Sequence, residues 1–248
     1  MKVEKDWWKN FFSGIALDLW RAVTTDEMTR AEADCIEKTL QAKAGSHFLD
    51  VPCGGGRLAL ELASRGYRLT GVEFAEEFVN EARLKSDERR LAITWEQRDM
   101  RDLPWQETFD GAYCFGNSCG YLQDDENRDF LRAVSHVLKP GTRFVLETFC
   151  MELALRAFQE KSWFETGGIL MLEENDYDLV HGRMNTEYTF IAAGKSETKR
   201  GSQRFYAYAE LCRLFEEAGF NCPQGFGSLT QEPLGLASHQ LLVIGEKR

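Results

Sequence analysis

The apolar positions along this chain change their period twice. Trp8, Phe11, Phe12, Ile15 and Leu19 recur at spacings of three and four, which predicts a helix with one aromatic face. A second helix is expected from about Asp26 through Ala31, Ile36 and Leu40, with Gly45 as the glycine that ends it. From His47 the pattern becomes strand, turn, helix, repeated. Strands are expected at His47–Val51, Arg68–Glu73, Ala92–Glu96, Gly111–Phe115 and Arg143–Thr148, and helices at Arg57–Arg65, Ala75–Ser86 and Glu126–Leu138. Gly66 follows the first of these helices, and Lys139-Pro140-Gly141 should close the third with a turn. Such alternation implies a mostly parallel sheet built from right-handed crossovers.

After Thr148 the rhythm shortens. Leu170–Leu172, Asp178–His181 and Glu187–Ile191 read as strands of antiparallel hairpins, separated by Glu173–Asp176, Gly182 and Gly194–Gly201. A helix returns at Ala207–Ala218, stopped by Gly219, and Gln240–Gly245 is a final strand. The expected organisation is an N-terminal helical lid (1–45), an α/β domain (46–161 and 206–248) and an inserted antiparallel β cap (162–205), all one unit.

Composition narrows the partners. The net charge of −10 repels phosphate backbones and anionic lipid, and no basic run offsets it, so neither nucleic acid nor a membrane surface is expected. No run of eighteen apolar residues suggests a transmembrane helix, and Glu4 and Asp6 argue against a secretory leader. Seven scattered cysteines (35, 53, 114, 119, 150, 212 and 222) lack C-x-x-C pairs, which fits reduced thiols in a cytoplasmic protein and gives no metal site.

The chemistry concentrates in Phe48-Leu49-Asp50-Val51-Pro52-Cys53-Gly54-Gly55-Gly56-Arg57, a strand entering a glycine turn and then a helix. Glycines there let the backbone approach a ligand and offer it helix N-terminal amides. Gly54 to Ala59 also fits the loose dinucleotide pattern G-x-G-x-x-A, with Glu73 placed for a ribose. Asp50 weighs against a dinucleotide, because it would lie where the doubly anionic pyrophosphate belongs, whereas it would attract the ammonium and sulfonium of S-adenosylmethionine.

Asp50 to Gly56, Glu73, Asp99-Met100 and Phe109–Tyr121 resemble class I S-adenosylmethionine-dependent methyltransferases, in particular a bacterial small-molecule group with a DxPCGxGR loop and an SFGY-like segment after the fourth strand. The likeness runs from about Trp7 to Leu155 and resumes at Arg204–Phe220 and the last strand. It implies a Rossmann-like methyltransferase fold, with a central, mostly parallel seven-stranded sheet, helices on both faces and the inserted cap. It also implies that Asp50, Cys53, Gly54 and Gly56 hold the methionyl end, that Glu73 takes the ribose hydroxyls, and that Asp99 with the Met100 backbone meets the adenine, on which Phe74 packs. Pro52 departs from the commoner glycine and removes one backbone amide. Arg30 is placed to reach the methionine carboxylate, and S-adenosylhomocysteine would be the product.

Methyl transfer is an in-line displacement at an activated carbon, so alignment and exclusion of water matter more than an obligatory base. Phe115 to Tyr121 leaves the fourth strand where open α/β sheets bind ligands. By resemblance it faces the methionyl end and the acceptor, with Phe115 beside the cofactor and Asn117, Ser118 and Tyr121 toward the substrate. The absent N/D-P-P-Y/F tetrapeptide argues further against a nucleic-acid acceptor. Trp163, Glu165, His181, Arg183, Tyr188 and Tyr206 are the cap's polar and aromatic candidates, Trp163 and Arg183 being the substrate-binding choices. His181 or His239 would be the base, since imidazole accepts a proton near neutral pH. The aromatic N-terminal helix either packs as core or closes over the cofactor.

The expectation is thus a methyltransferase acting on an oxygen or nitrogen of a small molecule, with a homodimer left open. The alternatives are a catalytically silent S-adenosylmethionine or S-adenosylhomocysteine binder and an NAD-dependent oxidoreductase.

Overall fold

The computed structural model describes residues 1–41, 43–221 and 223–248, so Cys222 lies outside the described residues. Five parallel strands, β1 (His47–Asp50), β2 (Arg68–Glu73), β3 (Ile93–Gln97), β4 (Phe109–Cys114) and β5 (Leu138–Thr148), form most of a seven-stranded sheet. β10 (Gln224–Phe226) and β11 (Leu241–Glu246) complete it in the order β10-β11-β5-β4-β1-β2-β3, with β11 antiparallel to both neighbours. Helices α3 (Asp26–Leu40) and α4 (Arg57–Ser64) pack on one face through Ile36, Leu40, Leu58 and Leu62. The other face carries α6 (Asp124–Val137) and α8 (Tyr208–Glu217) through Phe130, Val134, Leu211 and Phe215. Burial on both faces explains the near-continuous apolar runs of the inner strands.

Strand order reverses between β1 and β4, so the crossovers from these two strands leave on opposite sides. A crevice opens at their carboxyl ends, the topological switch point. α5 (Glu76–Arg89) covers β2 and β3, and the short α7 (Met151–Arg156) follows β5.

The second sheet is a four-stranded antiparallel meander, β6 (Lys161–Thr166), β7 (Ile169–Asp178), β8 (Arg183–Ala192) and β9 (Lys195–Arg204). It shares a separate apolar cluster with the N-terminus: Phe11, Ala16 and Leu19 pack on Ile169, Met171 and Phe190. Phe11 and its neighbours Trp7, Phe12 and Ile15 are therefore core for the small sheet, whereas Trp8 packs against the core of the large one.

Local expectations change at several points. The single aromatic helix is two, α1 (Trp8–Phe11) and α2 (Gly14–Val23), broken where Gly14 takes φ +61°. β9 stabilises the break from both sides: the Lys199 ammonium donates to the carbonyls of Phe11 (2.6 Å) and Ser13 (2.8 Å), and Glu197 accepts from the Ile15 amide at 2.8 Å. Helix α3 ends at Leu40 with Gln41 in the left-handed region, not at Gly45. After α6 the chain extends at once, since Leu138 already pairs with Phe109, and Gly141 turns within that extended run. Of the expected strand Asp178–His181 only Asp178 is strand, ending β7, and the residues after it are a hairpin turn in which the Asp178 carboxylate captures the amides of Val180 and His181. Strand β10 carries too few residues to show a period of two.

Arg183 ties the sheets together. Its buried guanidinium donates to the carbonyls of Leu122 (3.0 Å), Gly120 (3.2 Å) and Ser202 (2.7 Å) and to the Ser202 hydroxyl. Gly120 approaches β9 so closely that a Cβ there would stand 2.3 Å from the Arg204 carbonyl. Arg183→Met is expected to strip several buried carbonyls of their donor and cost about 3 kcal/mol, seen as a melting temperature lower by roughly 6–12 °C. Trp163→Ala, at a side chain 70% exposed, should leave it nearly unchanged. Equal melting temperatures for the two variants would refute this role for Arg183.

Candidate active site

The carboxyl ends of β1 and β2 bring two acids together below the sheet's rim. Asp50 is 2% exposed and its Oδ2 makes no hydrogen bond. Burial pushes its pKa up to about 8, against the pull of the nearby Tyr113 hydroxyl, which makes no well-formed hydrogen bond to it, and of the Arg57 guanidinium. Glu73, also buried, accepts the Gly54 amide at 2.9 Å through Oε2 and the Phe74 and Ala75 amides at 2.8 and 2.9 Å through Oε1. Desolvation raises its pKa while these amides lower it, and the net direction is up.

The glycine turn has distinct parts. Gly54 (φ +52°) carries the amide that Glu73 fixes, and it lines the cavity above. Gly56 does not line it: with φ +76°, it is the place where the Trp95 ring packs, 2.5 Å from where a Cβ would stand. Cys53 is a buried thiol on the cavity wall, and burial pushes its pKa up. Arg57, the first residue of α4, reaches the cavity and pairs with Glu32 at 2.5 Å. Arg30 is exposed and lies outside the cavity lining, so the guanidinium on this side belongs to Arg57.

Beyond β3, Asp99 lines the cavity with Met100, and its carboxylate holds Arg101 in a two-pronged pair (2.9 and 2.6 Å). Burial works to raise the Asp99 pKa, but the Arg101 hydrogen bonds outweigh it and the net direction is down. The Phe74 ring meets Trp8 edge-on at 4.9 Å, and Phe12 lies 5.9 Å from Phe78, so the N-terminal helices close over this end.

The segment after β4 forms the opposite wall. Phe115, Asn117, Ser118 and Tyr121 all line the cavity. Asn117 has a local task as well: its Oδ1 accepts from the Thr148 hydroxyl (2.9 Å) and the Phe149 amide (3.2 Å). Glu147, near the end of β5, accepts the Gly116 amide at 3.0 Å, and burial raises its pKa. Overhead, one face of the small sheet supplies Ser162, Glu173, Asn175, Thr186, Tyr188 and Gln203. The cavity volume is about 1020 Å³.

Several expected site residues fall outside this space. His181 sits exposed in the β7–β8 turn, paired with Asp178 at 2.7 Å. Trp163 and Glu165 are exposed on the small sheet, away from the cavity lining. Arg183 and Tyr206 are buried and structural, Tyr206 accepting from Asn127 at 3.1 Å. His239 and Tyr188 do line the cavity. Sequence reasoning missed Glu147, Glu173, Gln203 and the indole of Trp20, whose buried Nε1 lacks a partner. Only the alternation of Glu173 and Asn175, opposite Tyr188 and Thr186, could have signalled a polar strand face.

Two buried acceptor carboxylates without an ion-pair partner, beside a glycine turn, suit a ligand that brings an ammonium and hydroxyl groups, and they disfavour a pyrophosphate. Comparison with known proteins agrees. A family model described as a methyltransferase domain matches residues 48–141. An O-methyltransferase of Aspergillus sclerotiorum is 30% identical over 134 residues, covering 52% of this chain and 48% of that protein. A putative methyltransferase of Geobacillus sp. strain WCH70 is 26% identical over 248 residues, 97% of each chain. The solved structure of an S-adenosylmethionine-dependent methyltransferase from Clostridium acetobutylicum superposes with a TM-score of 0.80 at 18% identity, over 93% of this chain and 95% of that one.

Because the folded pKa of Asp50 lies above its ordinary value of 3.8, the unfolded chain holds fewer protons between 3.8 and about 8, and stability falls as pH rises through that window. Urea midpoints of the wild type should drop from about pH 5 to about pH 8 more steeply than those of Asp50→Asn. A constant difference between the two across the window would refute the assignment.

Proposed function

We propose, for a chain whose residues 48–141 match a methyltransferase domain and whose fold is that of the class I S-adenosylmethionine-dependent methyltransferases, that it methylates an oxygen or nitrogen of a small molecule. The observation that carries this reading is the Asp50 carboxyl on the cavity wall, buried without an ion-pair partner and with its Oδ2 unpartnered, one strand away from the amide-bound Glu73. In this reading Asp50 and the Gly54 backbone hold the methionyl ammonium, and Arg57 takes the carboxylate that sequence alone gave to Arg30. Glu73 keeps oxygen lone pairs for ribose hydroxyls, while Asp99, Met100 and Phe74 surround the base.

Bound S-adenosylmethionine supplies a methyl carbon made electrophilic by its positive sulfur. The protein's own part is to orient the acceptor, exclude water and remove a proton. The lid of residues 1–45 and the cap of residues 162–205 do the excluding: Trp7, Phe11 and Phe12 line the cavity from one and Tyr188 and Gln203 from the other. His239 is the candidate base, being the histidine on the cavity wall. The net charge of −10 supports a small-molecule acceptor over nucleic acid. Cys35, Cys53, Cys114, Cys119 and Cys150, buried thiols outside any disulfide, suit the reducing cytoplasm. Among the described residues no helix is long and apolar enough to cross a membrane.

Calorimetric titration should give saturable binding of S-adenosylmethionine and S-adenosylhomocysteine and none of NAD, with Asp50→Ala and Glu73→Gln weaker by at least about tenfold. Binding of NAD alone, or unchanged affinity in both variants, would overturn the reading. Once an acceptor is in hand, His239→Ala should lower kcat by about a hundredfold while leaving cofactor affinity intact. An unchanged kcat would remove His239 as the base.

A further inference from the structure

The acids around the cavity divide into two groups. Glu32 is paired with Arg57 (2.5 Å), Glu81 with Arg21 (2.8 Å) and Lys85 (2.5 Å), and Asp99 with Arg101 (2.6 Å). Asp50, Glu73, Glu147 and Glu173 have no ion-pair partner among the described residues, and the first two belong to the cofactor end. Glu147 is engaged with the Gly116 amide. Glu173 is different: it hangs from the small sheet above the cavity, and among the described residues its carboxylate accepts only from the Ser162 hydroxyl at 2.5 Å, a neutral donor. The cavity's other cations are occupied, Arg98 by Glu96 and Asp102 and Arg156 by the carbonyls of Leu236 and Ser238.

Beside this carboxylate stands an aromatic wall. Tyr188 is the direct cross-strand partner of Glu173, which puts their side chains next to each other on the same face. Phe11 lies 5.3 Å from Tyr188, and Trp7 lies 5.0 Å from Tyr121. Gly201 makes room for the wall, for a Cβ there would come within 3.2 Å of Trp7 and 3.3 Å of Tyr188. The Trp7 indole is pinned to the Ser202 carbonyl at 3.1 Å, so the wall is preorganised.

A carboxylate lacking a countercharge, in a cavity lined by aromatic rings, is the chemistry that binds an alkylated ammonium and gives a hydroxyl compound no comparable gain. Resting on the methyltransferase reading above, we infer that the acceptor is an amine, held as its ammonium by Glu173 and by Tyr188, Tyr121 and Trp7. For transfer, one N–H proton leaves through His239 to water. The freed nitrogen lone pair forms the new N–C bond, and the electron pair of the broken C–S bond stays on sulfur.

The test uses binding rather than turnover. Protein saturated with S-adenosylhomocysteine is titrated with choline and with its neutral isostere 3,3-dimethylbutan-1-ol. Choline should bind about tenfold more tightly. Glu173→Gln, which can still accept from Ser162, should abolish that preference, as should Tyr188→Leu, whereas Tyr188→Phe should retain it. Equal affinity, or no binding of choline by a protein that does bind S-adenosylhomocysteine, overturns the amine assignment alone. Failure of S-adenosylhomocysteine itself to bind overturns the methyltransferase reading and this inference with it.

Discussion

Two carboxylates buried at the ends of adjacent parallel strands set the terms for the rest of this molecule. Placing Asp50 and Glu73 beneath the rim of the sheet costs solvation, and the fold compensates the two differently. Glu73 receives three backbone amides and so organises the turn between β1 and α4. Asp50 has no such set of donors: its Oδ2 makes no hydrogen bond, and burial pushes its pKa up to about 8. The uncompensated acid is the one that a cationic ligand would satisfy, which links a cost in stability to a gain in binding.

The remaining architecture encloses that pair. The N-terminal helices would be too short and too aromatic to stand alone, but Glu197 and Lys199 of β9 cap the break between them, and Phe190 and Met171 bury their apolar side. The small sheet is in turn fastened to the loop after β4 by Arg183, whose guanidinium spans Gly120, Leu122 and Ser202. Lid, cap and switch-point loop thus form one connected frame, and the polar face of the cap becomes the ceiling of the cavity.

What could be read from sequence follows from the range of the interactions. The α/β alternation, the strand ends carrying Asp50 and Glu73, and Asp99 just past β3 were legible because period and glycine placement are local properties. His181 and Arg183 were misjudged because they lie two residues apart, one in the turn and one at the start of β8, on a hairpin whose register is set by long-range pairing. That pairing sends one to solvent and the other into a network of carbonyls. Arg30 lies outside the cavity and Arg57 on its wall because of how α3 lies against α4, about which spacing along the chain is silent. Glu147 and Glu173 went unread for a similar reason: a single acid near a strand end, or one within the acidic run Glu173–Asp176, reads as solvated until the opposing layer is in place.

The most direct test of the account is the proton count on binding S-adenosylmethionine to wild type and Asp50→Asn, from calorimetry near pH 7 in two buffers of different ionisation enthalpy. If the buried Asp50 carboxyl is the partner of the ligand's ammonium, the wild type must release protons into the buffer as that carboxyl ionises, and the variant must release fewer. Equal proton release from the two proteins would contradict the claim that the charge at Asp50 is what the ligand satisfies.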